Sequence, residues 1–261
     1  MDQIEMTRFA DELFRADSSR TAMRPLTETA PDITPEQAYS VQILYLEKKV
    51  ARGAVVIGKK IGLTSKAIRE ALHVNEPDFG CLLDTMAVLD GGTVSLSTLI
   101  QPKVEGEIAF VLDRDLNASF ITEADVLRCT AFVVPALEII DSRIADWKIA
   151  LPDTIADNAS SGMFVLGGKM NTLDRLDLRT LGMAVYHNGA LAVTGAGAAC
   201  LGNPVTSVAW LANKLRSLGM TLRAGEVILS GGLAATVTPT AGDWISMRMQ
   251  QLGDVSVRFS A

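Results

Sequence analysis

The sequence predicts an α+β protein, with a helical segment over residues 1–55 attached to a mixed, mostly β core over residues 56–261. Three observations predict it. Apolar residues recur at helical spacing before Gly53, short apolar runs alternate with turn residues after about residue 80, and a single long helical pattern interrupts that second half near residue 204.

The elements follow in order. Residues 4–16 set Ile4, Phe9, Leu13 and Phe14 among charges, an amphipathic helix. A second helix starts at Thr34, with Pro35 in its first position and Gln37 placed to complete a capping box that satisfies two otherwise unpaired amides. Ala38, Val41, Leu44 and Tyr45 continue it, and Gly53 can end it in a left-handed conformation. Ala54–Ile57 is branched and apolar and reads as a buried strand leading into Gly58-Lys-Lys-Ile-Gly-Leu-Thr64. Thr64 or Ser65 can cap a short helix through Leu72. Strand patterns then fall at Glu107–Leu112, Phe132–Ile140, Met163–Leu166, Met183–Tyr186, Glu226–Leu229, Trp244–Met249 and Val255–Phe259, with Asn188-Gly189 as a hairpin signal. The long helix has Asn203 as cap, Pro204 at its start and Gly219 at its stop.

Composition excludes several functions. The chain of 261 residues has a net charge of −6, which argues against the clustered Lys and Arg of a nucleic-acid surface. No run approaches the ~20 apolar residues of a membrane span, because Pro135 and Glu138 interrupt the most apolar stretch. Cys81, Cys129 and Cys200 are odd in number and widely spaced, without a CxxC pair. This fits a reducing compartment, and with no apolar leader in the first twenty residues a cytoplasmic location is expected.

The chemistry concentrates in carboxylates. Glu105 and Glu107 are two apart on a strand, so both aim at one spot, and two such anions need a proton, a basic partner or a cation. A solvated strand face is the plain alternative. Glu138 lies inside Ala131–Ile140, where a lone carboxylate is costly to bury. If the two strands are neighbours, three oxygen donors converge, a set suited to Mg²⁺ or Mn²⁺. His73 and His187 are far apart and carry no nucleophile pattern, and Gly195-Ala-Gly-Ala-Ala199 lacks the third glycine of a dinucleotide fingerprint. Lys60 points either inward, as an electrostatic partner for an anionic substrate, or to solvent. Asp78, in Glu76-Pro-Asp-Phe-Gly80, is a general acid or base or only a turn former. The polar run Asp153–Gly162 reads as a loop that supplies site residues or serves structure alone.

Together Gly58–Ser65, Glu76–Gly80, Val104–Phe110, Pro135–Arg143 and Asp153–Ser160 resemble the hydratase/decarboxylase branch of the fumarylacetoacetate hydrolase superfamily, in matching order from about residue 30 onward. The resemblance implies a mixed β-roll core and places the metal ligands at Glu105, Glu107 and Glu138, the active-site lysine at Lys60, the acidic residue at Asp78 and a substrate-contacting serine at Ser160. It implies metal-dependent addition of water to 2-hydroxypenta-2,4-dienoate, giving 4-hydroxy-2-oxopentanoate in the meta-cleavage of aromatic compounds. Decarboxylation of 4-oxalocrotonate (2-oxo-3-hexenedioate) at the same metal site is the alternative, and a non-catalytic partner of that decarboxylase a third reading. Asp146-Trp-Lys-Ile149 looks more like the hydratases. A homo-oligomer, and a complex with a 4-oxalocrotonate decarboxylase, are the implied assemblies.

Overall fold

The computed structural model describes residues 1–71 and 73–261, so Leu72, the expected end of the short helix, lies outside the described residues. Three helices come first: α1 (Gln3–Ser19), α2 (Leu26–Thr29) and α3 (Pro35–Val50). The capping box at the start of α3 is formed from both sides, Thr34 accepting from the Gln37 amide and the Gln37 side chain accepting from the Thr34 amide. Gly53 takes φ +98° just past the helix end.

The strands and remaining helices follow as β1 (Val56–Gly62), α4 (Lys66–Ala71), β2 (Asp78–Leu83), β3 (Ala87–Val88), β4 (Thr93–Ser95), β5 (Pro102–Leu112), α5 (Glu123–Cys129), β6 (Thr130–Asp141), α6 (Leu151–Ala156) and β7 (Ser161–Leu166). The chain finishes with β8 (Gly182–His187), β9 (Ala190–Ala196), α7 (Pro204–Ser217), β10 (Val227–Leu229), β11 (Trp244–Met249) and β12 (Gly253–Ser260). Two sheets form the mixed β-roll. One has seven strands in the order β2-β1-β10-β5-β6-β7-β3, the other five in the order β4-β12-β11-β8-β9. Asn188-Gly189, with φ of +51° and +82°, makes the β8–β9 turn that those residues favour.

The long strands β5 and β6 are the spine, and each divides its side chains between two tasks. Val104, Gly106 and Ile108 of β5 face the second sheet. A Cβ at Gly106 would lie 2.4 Å from the Met183 sulfur and 2.6 Å from that of Met247, so glycine leaves room for those two side chains between the sheets. Glu105 and Glu107 take the opposite face.

Three local expectations differ from the structure. Ala54–Ile57 is not a buried strand: Val55 is 55% and Val56 36% exposed, and the strand is displaced into the Gly-Lys-Lys segment, whose Lys59 and Lys60 are buried. Glu76–Gly80 is only half a turn, because Asp78 opens β2. The polar run from Asp153 is helix α6 for its first part rather than loop, with Pro152 in its first turn and the Asp153 carboxylate accepting from the Ala150 and Thr27 amides. Tertiary contacts decide each case: Lys59 pairs with Glu226, Asp78 with Thr154, Asp153 with Thr27.

Candidate active site

Strand register explains why distant residues meet. Glu105 stands directly opposite Glu138 on paired antiparallel strands, and Glu107 follows two residues on, so all three share a face. Lys60 pairs with Leu229, and Leu229 with Ala109, which carries the same face across β10 to β1. Gly62 pairs with Asp78, which carries it on to β2. Four carboxylates and Lys60 therefore look out from one side of the large sheet, with Lys103 two residues before Glu105 on the same face.

The three glutamates each offer an oxygen within 4.8 Å of the others. Glu107 and Glu138 are buried; Glu105 is half-buried and opens onto a cavity of about 200 Å³. The Gly231 amide donates to Glu107 Oε2 at 2.7 Å, and Lys60 Nζ stands 3.3 Å from Glu138 Oε1. Glu107 Oε1 and both Glu138 oxygens still have no hydrogen-bond partner among the described residues. Such atoms are expensive to bury without a ligand. An array of hard oxygen donors carrying more negative charge than Lys60 cancels fits a divalent cation such as Mg²⁺, and it offers neither nitrogen nor sulfur for a structural zinc.

The electrostatics agree. Burial and the neighbouring Glu138 push Glu105 up to about 7, against the pull of Lys60 and Lys103. Burial, with Glu138 and Glu105 beside it, raises Glu107 well above the ordinary carboxylate range. Glu138 and Asp78 are also raised by burial, with Lys60 opposing. Burial alone would lower Lys60, but Glu138, Asp78, Glu105 and Glu107 outweigh it and hold the ammonium charged.

Asp78 and Ser160 line the same cavity as Lys60 and Glu105. Asp78 Oδ2 accepts from the Thr154 hydroxyl at 2.8 Å, whereas Oδ1 is unpartnered among the described residues. A Cβ at Gly62 would lie 2.2 Å from that Oδ1, so glycine is what lets the carboxylate stand beside the lysine strand. Gln42 of α3 donates to the carbonyls of Phe79 and Ile155, clamping the elements that carry Asp78 and Thr154.

The turn bearing Ser160 is unusual. Asn158, Ala159 and Ser160 take φ of +57°, +50° and +53°, a left-handed run costing roughly 1–2 kcal/mol per residue. Hydrogen bonds hold it. The Asn158 side chain accepts from the Cys81 amide and donates to the Cys81 carbonyl, and Lys60 Nζ donates to the Ala159 carbonyl at 2.8 Å. The Ser160 hydroxyl donates to Asp157 Oδ2 at 3.0 Å. Asp157 in turn accepts from Ser142 Oγ and from the backbone amide and Nε of Arg143, while the Arg143 guanidinium also donates to the carbonyls of Asp157 and Ser161.

The structure thus brings together all six residues singled out from the sequence: Lys60, Asp78, Glu105, Glu107, Glu138 and Ser160. His73 is exposed in a turn, and His187 pairs with Asp243 at 2.8 Å, both away from this cavity. Sequence reasoning gave no individual role to Thr154, Lys103, Trp147 or the Arg143–Asp157 pair, although Trp147 lay in the Asp146–Ile149 stretch it singled out. Asp157 stood within the polar run, but nothing in the spacing tied it to an arginine fourteen residues earlier.

Comparison with known proteins agrees with this architecture. Residues 54–260 match the family model described as fumarylacetoacetate (FAA) hydrolase C-terminal. A 2-keto-4-pentenoate hydratase of Paraburkholderia xenovorans (strain LB400) is 46% identical, over 97% of this chain and 94% of its own. A 2-hydroxyhexa-2,4-dienoate hydratase of Comamonas testosteroni is 47% identical over 95% of both chains. Among solved structures, the 4-oxalocrotonate decarboxylase from Pseudomonas putida G7, complexed with magnesium and adipate, superposes with a TM-score of 0.96 at 40% identity, over 99% of this chain and 98% of that one. With a matching family model across most of its length and relatives of this identity, the chain belongs to the hydratase/decarboxylase branch of the fumarylacetoacetate hydrolase family.

Proposed function

We propose that the protein is a divalent-metal-dependent hydro-lyase that adds water to 2-hydroxypenta-2,4-dienoate, giving 4-hydroxy-2-oxopentanoate in the meta-cleavage of aromatic compounds. The observation that carries this reading is a cavity with a mixed lining. Lys60, Asp78, Glu105 and Ser160 supply its charged and polar groups, and Leu63, Ile68, Ile140 and Ile149 its apolar wall. A small acid with an uncharged tail suits such a cavity. The hydratase names of the relatives at 46–47% identity support the same choice.

Glu105, Glu107 and Glu138 would hold Mg²⁺ or Mn²⁺, which when bound supplies Lewis acidity at the substrate's carboxylate and C2 oxygen. Lys60, kept charged by its acidic neighbours, favours negative charge at that end. The dienol loses its hydroxyl proton and gains one at C5, becoming a 2-oxo-3-enoate with an electrophilic C4. Water then gives its oxygen to C4, one of its protons leaves, and C3 is protonated. Asp78 is our candidate for moving these protons. Burial raises it above the ordinary carboxylate range against the pull of Lys60, and its free Oδ1 is available to a water or substrate atom. Ser160, next to the Ala159 carbonyl that holds Lys60, would orient the substrate.

Decarboxylation of 4-oxalocrotonate is the second reading. Lys103 also lines the cavity, and the decarboxylase superposes closely. Both reactions draw electrons toward the C2 oxygen, so the acidic triad does not separate them. Ultraviolet assays with 2-hydroxypenta-2,4-dienoate and 2-oxo-3-hexenedioate, with and without chelator and with product identification, test the choice. Chelator-sensitive formation of 4-hydroxy-2-oxopentanoate is expected. Release of CO₂ from the diacid faster than the monoacid is hydrated overturns the hydratase, and inertness toward both acids favours a non-catalytic partner subunit.

A further inference from the structure

The start of β5 and the turn after β6 contribute Lys103 and Trp147 to the lining of the cavity. Lys103 lies two residues before Glu105 and so shares its face of the strand, and its ammonium sits 4.2 Å from the centre of the Trp147 ring. The indole is fixed in place. Its N–H donates to the Gln101 carbonyl at 3.1 Å, and the Gln101 amide donates to the carbonyls of Ser142 and Ile144. Asp146 and Trp147 hold left-handed φ of +57° and +55°, a backbone that ordinary residues keep only where their surroundings impose it.

We infer that Trp147 is the specificity-determining residue for the far end of the substrate, acting as an apolar wall and by holding Lys103 away from a second carboxylate. The inference rests on reading the cavity as a 2-oxo acid site. Lys60 and Lys103 are the two cationic side chains lining it among the described residues. Lys60 is already engaged by the Ala159 carbonyl and Glu138. Lys103 is engaged by the ring, the Thr154 hydroxyl by Asp78, and the remaining wall contributes isoleucine, leucine and Thr236, whose hydroxyl carries no charge. A second carboxylate entering there loses its water and must draw the ammonium off the indole to find a charged partner, whereas a methyl group needs none. Removal of the ring frees Lys103 and reverses the preference.

The test uses a matched pair of inert six-carbon ligands, 2-oxohexanoate and 2-oxoadipate, which differ only in a terminal methyl against a carboxylate. Calorimetry at Mn²⁺ saturation compares wild type with Trp147→Leu, Trp147→Phe, Lys103→Met and the Trp147→Leu/Lys103→Met double variant. Wild type is expected to bind 2-oxohexanoate at least about tenfold more tightly, a ratio within reach of one apolar contact. Trp147→Leu is expected to shift that ratio about tenfold or more toward the diacid, the double variant to restore it, and Trp147→Phe, which keeps a ring for the ammonium, to stay near wild type. The inference is overturned if Trp147→Leu weakens both ligands equally, if the double variant still prefers the diacid, or if wild type binds neither. Turnover of 2-hydroxypenta-2,4-dienoate in the same preparations separates the two claims. A ligand preference without hydration leaves the subsite standing and removes the hydratase, and hydration without the preference does the reverse.

Discussion

Two clusters of buried charge lie side by side in this molecule, and they are finished differently. Around Asp157, each carboxylate oxygen accepts from a side chain or amide, and the Arg143 guanidinium spends its donors on Asp157 and two carbonyls. Around Glu138, four carboxylate oxygens of Glu107, Glu138 and Asp78 have no hydrogen-bond partner among the described residues, and Lys60 faces Glu138, Asp78, Glu105 and Glu107. The first cluster is complete as protein; the second is complete only with something added. Full satisfaction marks a buried ion pair as structural, and conspicuous incompleteness marks a place for a ligand.

The comparison breaks most visibly at the incomplete cluster. Glu138→Gln is expected to lower kcat/KM on the order of 10³-fold, the scale of losing one group that supports charge in the transition state. The metal-free variant loses repulsion with the other glutamates and an attraction to Lys60, which Asp78, Glu105 and Glu107 still face, so its melting temperature should move by only a few degrees. A large drop in the melting temperature of that metal-free variant would show that Glu138 is structural.

Arg143→Met is the converse. Stranding Asp157 in the interior should cost about 3–5 kcal/mol of unfolding free energy in denaturant titrations, and Arg143→Met/Asp157→Leu should recover part of it. Equal destabilisation by the single and double changes would contradict the paired reading.

Proton linkage sharpens the contrast. Glu105 is raised to about 7 in the folded, metal-free protein from an ordinary value of 4.5, so between those values the folded state binds more protons than the unfolded one. Stability from this group therefore falls as pH rises through that window. A divalent cation opposes the loss by binding the ionised form. The rise in melting temperature on adding Mg²⁺ should be larger near about pH 7.5 than near about pH 5.5. A gain independent of pH would detach the glutamates from the cation.

Ser160→Ala is the smallest change, removing one hydrogen bond to Asp157 at a cost of about 1 kcal/mol. If Ser160 also orients substrate, KM rises several-fold while the melting temperature moves by only a few degrees. An unchanged KM would leave it a spacer.

What could be read in advance follows the same division. Glu105 and Glu107 at strand spacing, and Glu138 within an apolar run, violate local rules, and violations are visible in one dimension. The capping box at Thr34 and the Asn188-Gly189 turn were legible because their partners are adjacent. The left-handed run at Asn158–Ser160 was not, because those residue types do not require it and bonds from Cys81, Lys60 and Asp157 impose it. Asp78 looked like a turn residue for the same reason: its strand exists through pairing with β1.

Strand order carries one more consequence. The hairpin of β1 and β2 reaches β5 only through β10, whose three residues arrive near the end of the chain. During synthesis Lys60 and Asp78 therefore emerge early, the glutamates follow, and no sheet joins the two groups until Val227–Leu229 slots between them. Closing loops of that size is slow, so this face of the large sheet is joined only once β10 has been made, and a ribosome-stalled chain ending before β10 would hold all four carboxylates yet lack the strand that frames them.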